Sequence, residues 1–137
     1  MIARRKKVAR ITTNVILVVE EAEEIRDGIE SLLKVDGYRV NCARDENDAV
    51  STARRIRPDL ILISGGTPAN LMITKAVRIR KRAGLTDTVP VVIFSVDTLA
   101  EGAEVENRAR VYLTRPDNFD QLRQFLRRVL EPRDSAS

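Results

Sequence analysis

Short apolar runs alternate along this chain with stretches in which apolar positions recur every three to four residues. Residues 14–19 (NVILVV) form a nearly continuous apolar run, too short for a core helix and rich in β-branched side chains. That pattern predicts a strand covered on both faces. Residues 22–35 carry Ile25, Ile29, Leu32 and Leu33 at helical spacing, with acids crowding the first turn and Gly37 beyond the last. A second strand is expected over 38–43. A helix follows over 46–56, with Ala49, Val50 and Ala53 inward and Pro58 just past its end. Leu60 to Ile63 repeats the buried-strand pattern, and Ser64-Gly65-Gly66-Thr67-Pro68 reads as a loop bent at its glycines. From Ala69 to Arg82 the spacing of Met72, Ile73, Ala76 and Ile79 predicts a helix. Val77 sits at the edge of its stripe, and Lys75, Arg78, Lys81 and Arg82 fall largely outside it. Pro90 opens a fourth strand over 91–94, and a small acidic helix is expected over 97–107. A fifth strand over 110–114 precedes a last helix marked by Phe119, Leu122, Phe125, Leu126 and Val129.

Five strands alternating with five helices predict an α/β domain: a doubly wound, five-stranded parallel sheet with strand order 2-1-3-4-5. In such a sheet the chemistry gathers at the carboxyl ends of the strands. Those ends are Glu20-Glu21, Ser64, Ser95 and Thr114-Arg115.

Composition narrows the reading. The 137 residues suit one domain, expected over 13–131, between a basic arm over 1–12 and a flexible polar tail over 132–137. With no His, imidazole acid–base catalysis, His metal ligands and phosphohistidine chemistry are all excluded. Cys42 has no disulfide partner, which suits a reducing, cytoplasmic setting, and no apolar run is long enough to cross a membrane. The net charge of +4 is misleading, because Arg4, Arg5, Lys6, Lys7 and Arg10 stand in the first ten residues without an acid. The remainder is close to neutral. Such an arm could contact phosphate backbones without sequence preference, and no aromatic residues are interleaved for stacking on bases. No helix-turn-helix follows residue 130, so sequence-specific nucleic-acid binding is not expected.

The segments ILVVEEAEEIRDGIESLL (16–33), RPDLILIS (57–64), TVPVVIFS (88–95) and ARVYLTRP (109–116) together resemble the receiver domain of two-component response regulators, a flavodoxin-like fold. The resemblance runs from about residue 14 to 130. It implies an Mg²⁺ site on the acidic pair Glu20 and Glu21, and a phospho-acceptor position at Ser64. It also implies phosphoryl-contacting positions at Ser95 and Arg115, and a switch aromatic at Tyr112. The family has an aspartate where Ser64 stands and a lysine where Arg115 stands. A serine hydroxyl is a weak nucleophile until a base takes its proton, and a phosphoserine lacks the lability of an acyl phosphate. Removing one carboxylate also weakens the pocket for Mg²⁺, so no cofactor is expected to be held firmly.

The resemblance therefore implies a stand-alone, non-enzymatic receiver-like module of a phosphorelay, acting by protein docking. Its expected partner is a sensor kinase or another signalling protein. The face built from the 97–107 helix, the fifth strand and the last helix would suit a homodimer, with Asp97, Glu101, Glu104 and Glu106 beside Arg108, Arg110, Arg123 and Arg127. Arg115, deprived of an acceptor carboxylate, is expected to bond Glu20 or Glu21. Two alternatives stand beside this reading: an atypical acceptor using Ser64 with Mg²⁺, and a nucleic-acid-associated regulator acting through the basic arm.

Overall fold

The structure, a computed structural model, describes residues 14–65, 68–96 and 98–131. The basic arm and the polar tail lie outside the described residues. Six strands form one sheet: β1 (Val15–Val19), β2 (Arg39–Ala43), β3 (Leu60–Ser64), β4 (Val91–Phe94), β5 (Glu104–Asn107) and β6 (Val111–Thr114). Among the described residues four α-helices flank it: α1 (Glu23–Val35), α2 (Glu46–Ile56), α3 (Ala69–Arg82) and α4 (Phe119–Leu130).

The spatial order is β2-β1-β3-β4-β6-β5. The five strands foreseen run parallel in the expected 2-1-3-4-5 order, with Leu17 level with Ile61, Ile61 with Val91 and Val91 with Val111. Alternate residues feed opposite faces, which is why the central strands read as unbroken apolar runs. Ile16, Val18, Leu60 and Leu62 pack with Ile29 and Leu33 of α1 and Leu122, Phe125 and Leu126 of α4. Leu17, Val19, Ile61 and Ile63 pack with Ala49, Val50 and Ala53 of α2 and Ala76 and Ile79 of α3. The helix ends are set locally. Asp45 and Asn118 accept bonds from the backbone N–H of Asp48 and Gln121, each at 2.9 Å, capping α2 and α4.

Two expectations are corrected, and one buried charge is new. Residues 104–107 form an antiparallel edge strand instead of part of an acidic helix, with Val105 opposite Leu113. Gly102, at φ 85°, would interrupt any helix there, and Thr114 and Arg115 hold the Ala103 carbonyl from the neighbouring strand end. On α1, Ile25 and Leu32 are exposed, because only Ile29 and Leu33 turn towards the sheet. On α3, Arg80 is 2% exposed, and its guanidinium donates to the Val89 carbonyl at 2.9 Å.

The homodimer face consequently lacks its helix. Some of its charges are engaged within the chain: Glu104 pairs with Arg128 at 2.6 Å and Arg123 with Asp36 at 2.7 Å. Arg110 donates to the Val129 carbonyl at 3.0 Å. Asp97 and the Arg108 side chain lie outside what is described.

Candidate functional site

Parallel pairing of β1, β3 and β4 brings their carboxyl ends level, with Val19 opposite Ile63 and Ser64 opposite Phe94. Just beyond them lies an open cavity of about 230 Å³, lined by Val19, Glu20, Glu21, Arg44, Asp45, Ser64, Gly65, Met72 and Lys75. Glu20, Glu21 and Ser64 thus meet where the topology puts them. Ser95, Tyr112 and Arg115 are not among the lining residues.

Glu20 is the unusual member. It is 8% exposed, and its Oε2 accepts a bond from the Ala22 N–H at 2.9 Å while its Oε1 is buried without a hydrogen-bond partner among the described residues. Its backbone carbonyl accepts from Arg26 Nη1 at 3.0 Å. Glu21 is exposed at the rim. Asp45 is committed to capping α2. Ser64, the last residue of β3, is followed by Gly65, whose N–H donates to the Phe94 carbonyl at 2.6 Å and ties the loop to β4.

Arg115 does not make the ion pair foreseen for it. Its Nη1 donates to the Leu99 carbonyl at 3.0 Å, so the side chain is drawn to the turn after β4 and away from Glu20 and Glu21. Tyr112 is buried on the opposite face, edge-on to Phe125 with ring centroids 5.6 Å apart. Ser95 is exposed at φ 61°, beside a buried Val96.

Sequence reasoning missed Arg44, Asp45 and Lys75 as members of the cavity. For Lys75 a signal existed, since it lies three residues after Met72 and four before Ile79, at the edge of the inward stripe.

The fold family implies Mg²⁺, which needs near-octahedral oxygen ligands. The residues here do not fit it. Among the described residues no group of three or more Asp, Glu, Cys or His side chains is gathered closely enough to hold a metal ion. Two cationic side chains, Arg44 and Lys75, share the cavity instead.

No family model matches the chain. It is 30% identical over 129 residues to the transcriptional regulatory protein AfsQ1 of Streptomyces coelicolor, covering 89% of this chain and 56% of that protein. The chain therefore spans about half the length of this relative. Among solved structures, response regulator TrrA from Thermotoga maritima, in complex with Mg²⁺-BeF, superposes with a TM-score of 0.63 at 20% identity, covering 85% of this chain and 98% of that one. The receiver domain of hybrid histidine kinase CckA gives 0.61 at 23% identity, covering 86% and 100%. Chemotaxis protein CheY4 of Vibrio cholerae gives 0.58 at 21%, covering 85% and 98%. The chain has the fold of a response-regulator receiver domain.

Proposed function

We propose that the chain is a receiver-like module of a two-component phosphorelay, and that it signals by docking to a partner protein without itself accepting phosphate. The observation that carries this is Ser64. It stands at the end of β3 in the cavity with Glu20 and Glu21, the position of the acceptor aspartate in the family the sequence resembles. A hydroxyl needs a base to become a nucleophile, and the buried carboxylate nearby makes no hydrogen bond to it: Glu20 Oε2 holds the Ala22 N–H and Oε1 is unpartnered. The partner is a sensor kinase or another signalling protein, as implied by the receiver-domain likeness. The likeness to AfsQ1 favours a transcriptional output for the pathway. Removing the gene for this chain should then change a defined set of transcripts, and an unchanged transcript profile would argue against that output.

The test uses the intact chain with Mg²⁺ and a radiolabelled acyl phosphate, alongside beryllofluoride in an NMR titration. No label should be incorporated, and the amide signals of Ser95 and Tyr112 should stay in place. Label abolished by Ser64→Ala, or saturable shifts at those amides, would establish Ser64 as an atypical acceptor and overturn the proposal.

A further inference from the structure

The cavity holds a buried carboxylate oxygen for which the described residues supply no partner. Glu20 Oε1 is shielded from solvent, receives no hydrogen bond and belongs to a side chain lining the cavity. Burial of such an oxygen is tolerated where a cation or donor can reach it. A dication is poorly matched to this place, because two cationic side chains, Arg44 and Lys75, line the cavity together with Glu20, Glu21 and Asp45. Three other cations near the site are otherwise placed. Arg26 is tied to the Glu20 carbonyl, Arg115 to the Leu99 carbonyl, and Arg44 is exposed.

Lys75 differs from all three. It is half-buried on α3, it lines the same cavity, and among the described residues it makes no ion pair. Lysine carries a compact point charge on a flexible four-carbon stem, which suits it to close on a single carboxylate oxygen.

We propose that Lys75 is the built-in cation of this pocket: its ammonium closes on Glu20 Oε1 and holds a divalent ion out. Lys75 is then a specificity-determining residue, and loss of the acceptor carboxylate at Ser64 is only half of what separates this pocket from a metal-binding one. The proposal rests on the metal-free reading of the cavity given above, but it is judged by different measurements.

Magnesium chloride is titrated calorimetrically into the wild-type chain and the Ser64→Asp, Lys75→Met, Ser64→Asp/Lys75→Met and Ser64→Asp/Lys75→Arg variants. Ser64→Asp alone should bind Mg²⁺ weakly. Removing the ammonium as well should tighten binding at least about tenfold, because like charges nearby repel the ion, and the arginine variant should stay near the weak parent. In parallel, the side-chain NMR signal of the Lys75 ammonium should move on Glu20→Gln in a chain that keeps its fold. An affinity unchanged by Lys75→Met in the Ser64→Asp background, or a Lys75 signal indifferent to Glu20→Gln, would overturn the proposal. Should Lys75→Met not fold, Lys75→Gln serves in its place with the same two outcomes. Phosphate uptake by the wild-type chain would overturn the proposed function and leave the Lys75 comparison to be decided on its own data.

Discussion

Gly65→Ala adds one methyl group at the point where the cavity loop leaves β3. The new Cβ would fall well inside contact distance of the Phe94 carbonyl oxygen, and 3.1 and 3.2 Å from the oxygen and carbon of the Ser95 carbonyl. All three are backbone atoms, so no side chain can rotate away. The loop or the end of β4 must move, and the 2.6 Å bond from the Gly65 N–H to the Phe94 carbonyl is lost with it. Overpacking of this kind costs about 1–3 kcal/mol and the broken bond about 1 kcal/mol more, giving roughly 2–4 kcal/mol. With ordinary urea sensitivity for a domain of this size, the unfolding midpoint should fall by about 1–2 M. Gly28→Ala is the matched control, because a Cβ there meets nothing within 4 Å and lies within α1. It should raise stability by about 0.5–1 kcal/mol through helix propensity. If urea unfolding finds the two alanine variants alike, the close approach of the Gly65 loop to β4 is wrong.

Three further outcomes follow from charge and burial. Burial, reinforced by Glu30 3.7 Å away, pushes the Cys42 thiol up from 9.0 to about 11, so near pH 8 alkylation should run about a hundredfold slower than for an ordinary thiol, and labelling at the unperturbed rate would contradict that placement. A thiol held protonated in the fold favours the folded state until the unfolded chain starts to lose its proton, so its contribution should decline as pH rises from about 9 towards 11, and Cys42→Ala should flatten that limb. Glu46 lies below the usual carboxylate range, chiefly because Arg78 grips it in a forked hydrogen bond, with Arg82 at 3.2 Å adding to it. Its contribution is present above the ordinary carboxylate value and is lost as pH falls through the lowered one, so Glu46→Gln should cost a little stability at pH 7 and nothing at the acid end of a thermal-unfolding series.

Most of the sheet was legible in the sequence because β1, β3, β4 and β6 are buried on both faces and leave no room for polar residues. Breakers marked helix ends almost to the residue, as Gly37 and Pro58 illustrate. The segment before β6 was misread because Leu99, Ala100, Glu101 and Ala103 are good helix formers. Its outcome was decided elsewhere in the chain: Thr114 and Arg115 bind the Ala103 carbonyl, Gln121 binds the Gly102 carbonyl, and Arg128 pairs with Glu104. A local cue did exist in the alternation of Glu104, Val105 and Glu106 after a glycine, which fits an exposed edge strand better than a helix face.

The site was legible in position and illegible in connection. Parallel topology alone puts the residues after β1 and β3 side by side, so Glu20, Glu21 and Ser64 could be grouped without coordinates. Which cation joins them depends on how each side chain leaves its element, and a strand-end list carries no such information. Arg115 is adjacent to β6 yet is captured by the Leu99 carbonyl, whereas Lys75, on a helix face read as outward, enters the cavity. The same exchange explains why a serine at position 64 is compatible with the fold. On the proposed reading, a hydroxyl at position 64 leaves fewer charges to be neutralised than a carboxylate would, and the Lys75 ammonium stands where a dication would otherwise compensate them. Substitution at Ser64 and the placement of Lys75 are thus best treated as one coupled change, so their effects on cation binding should be strongly non-additive.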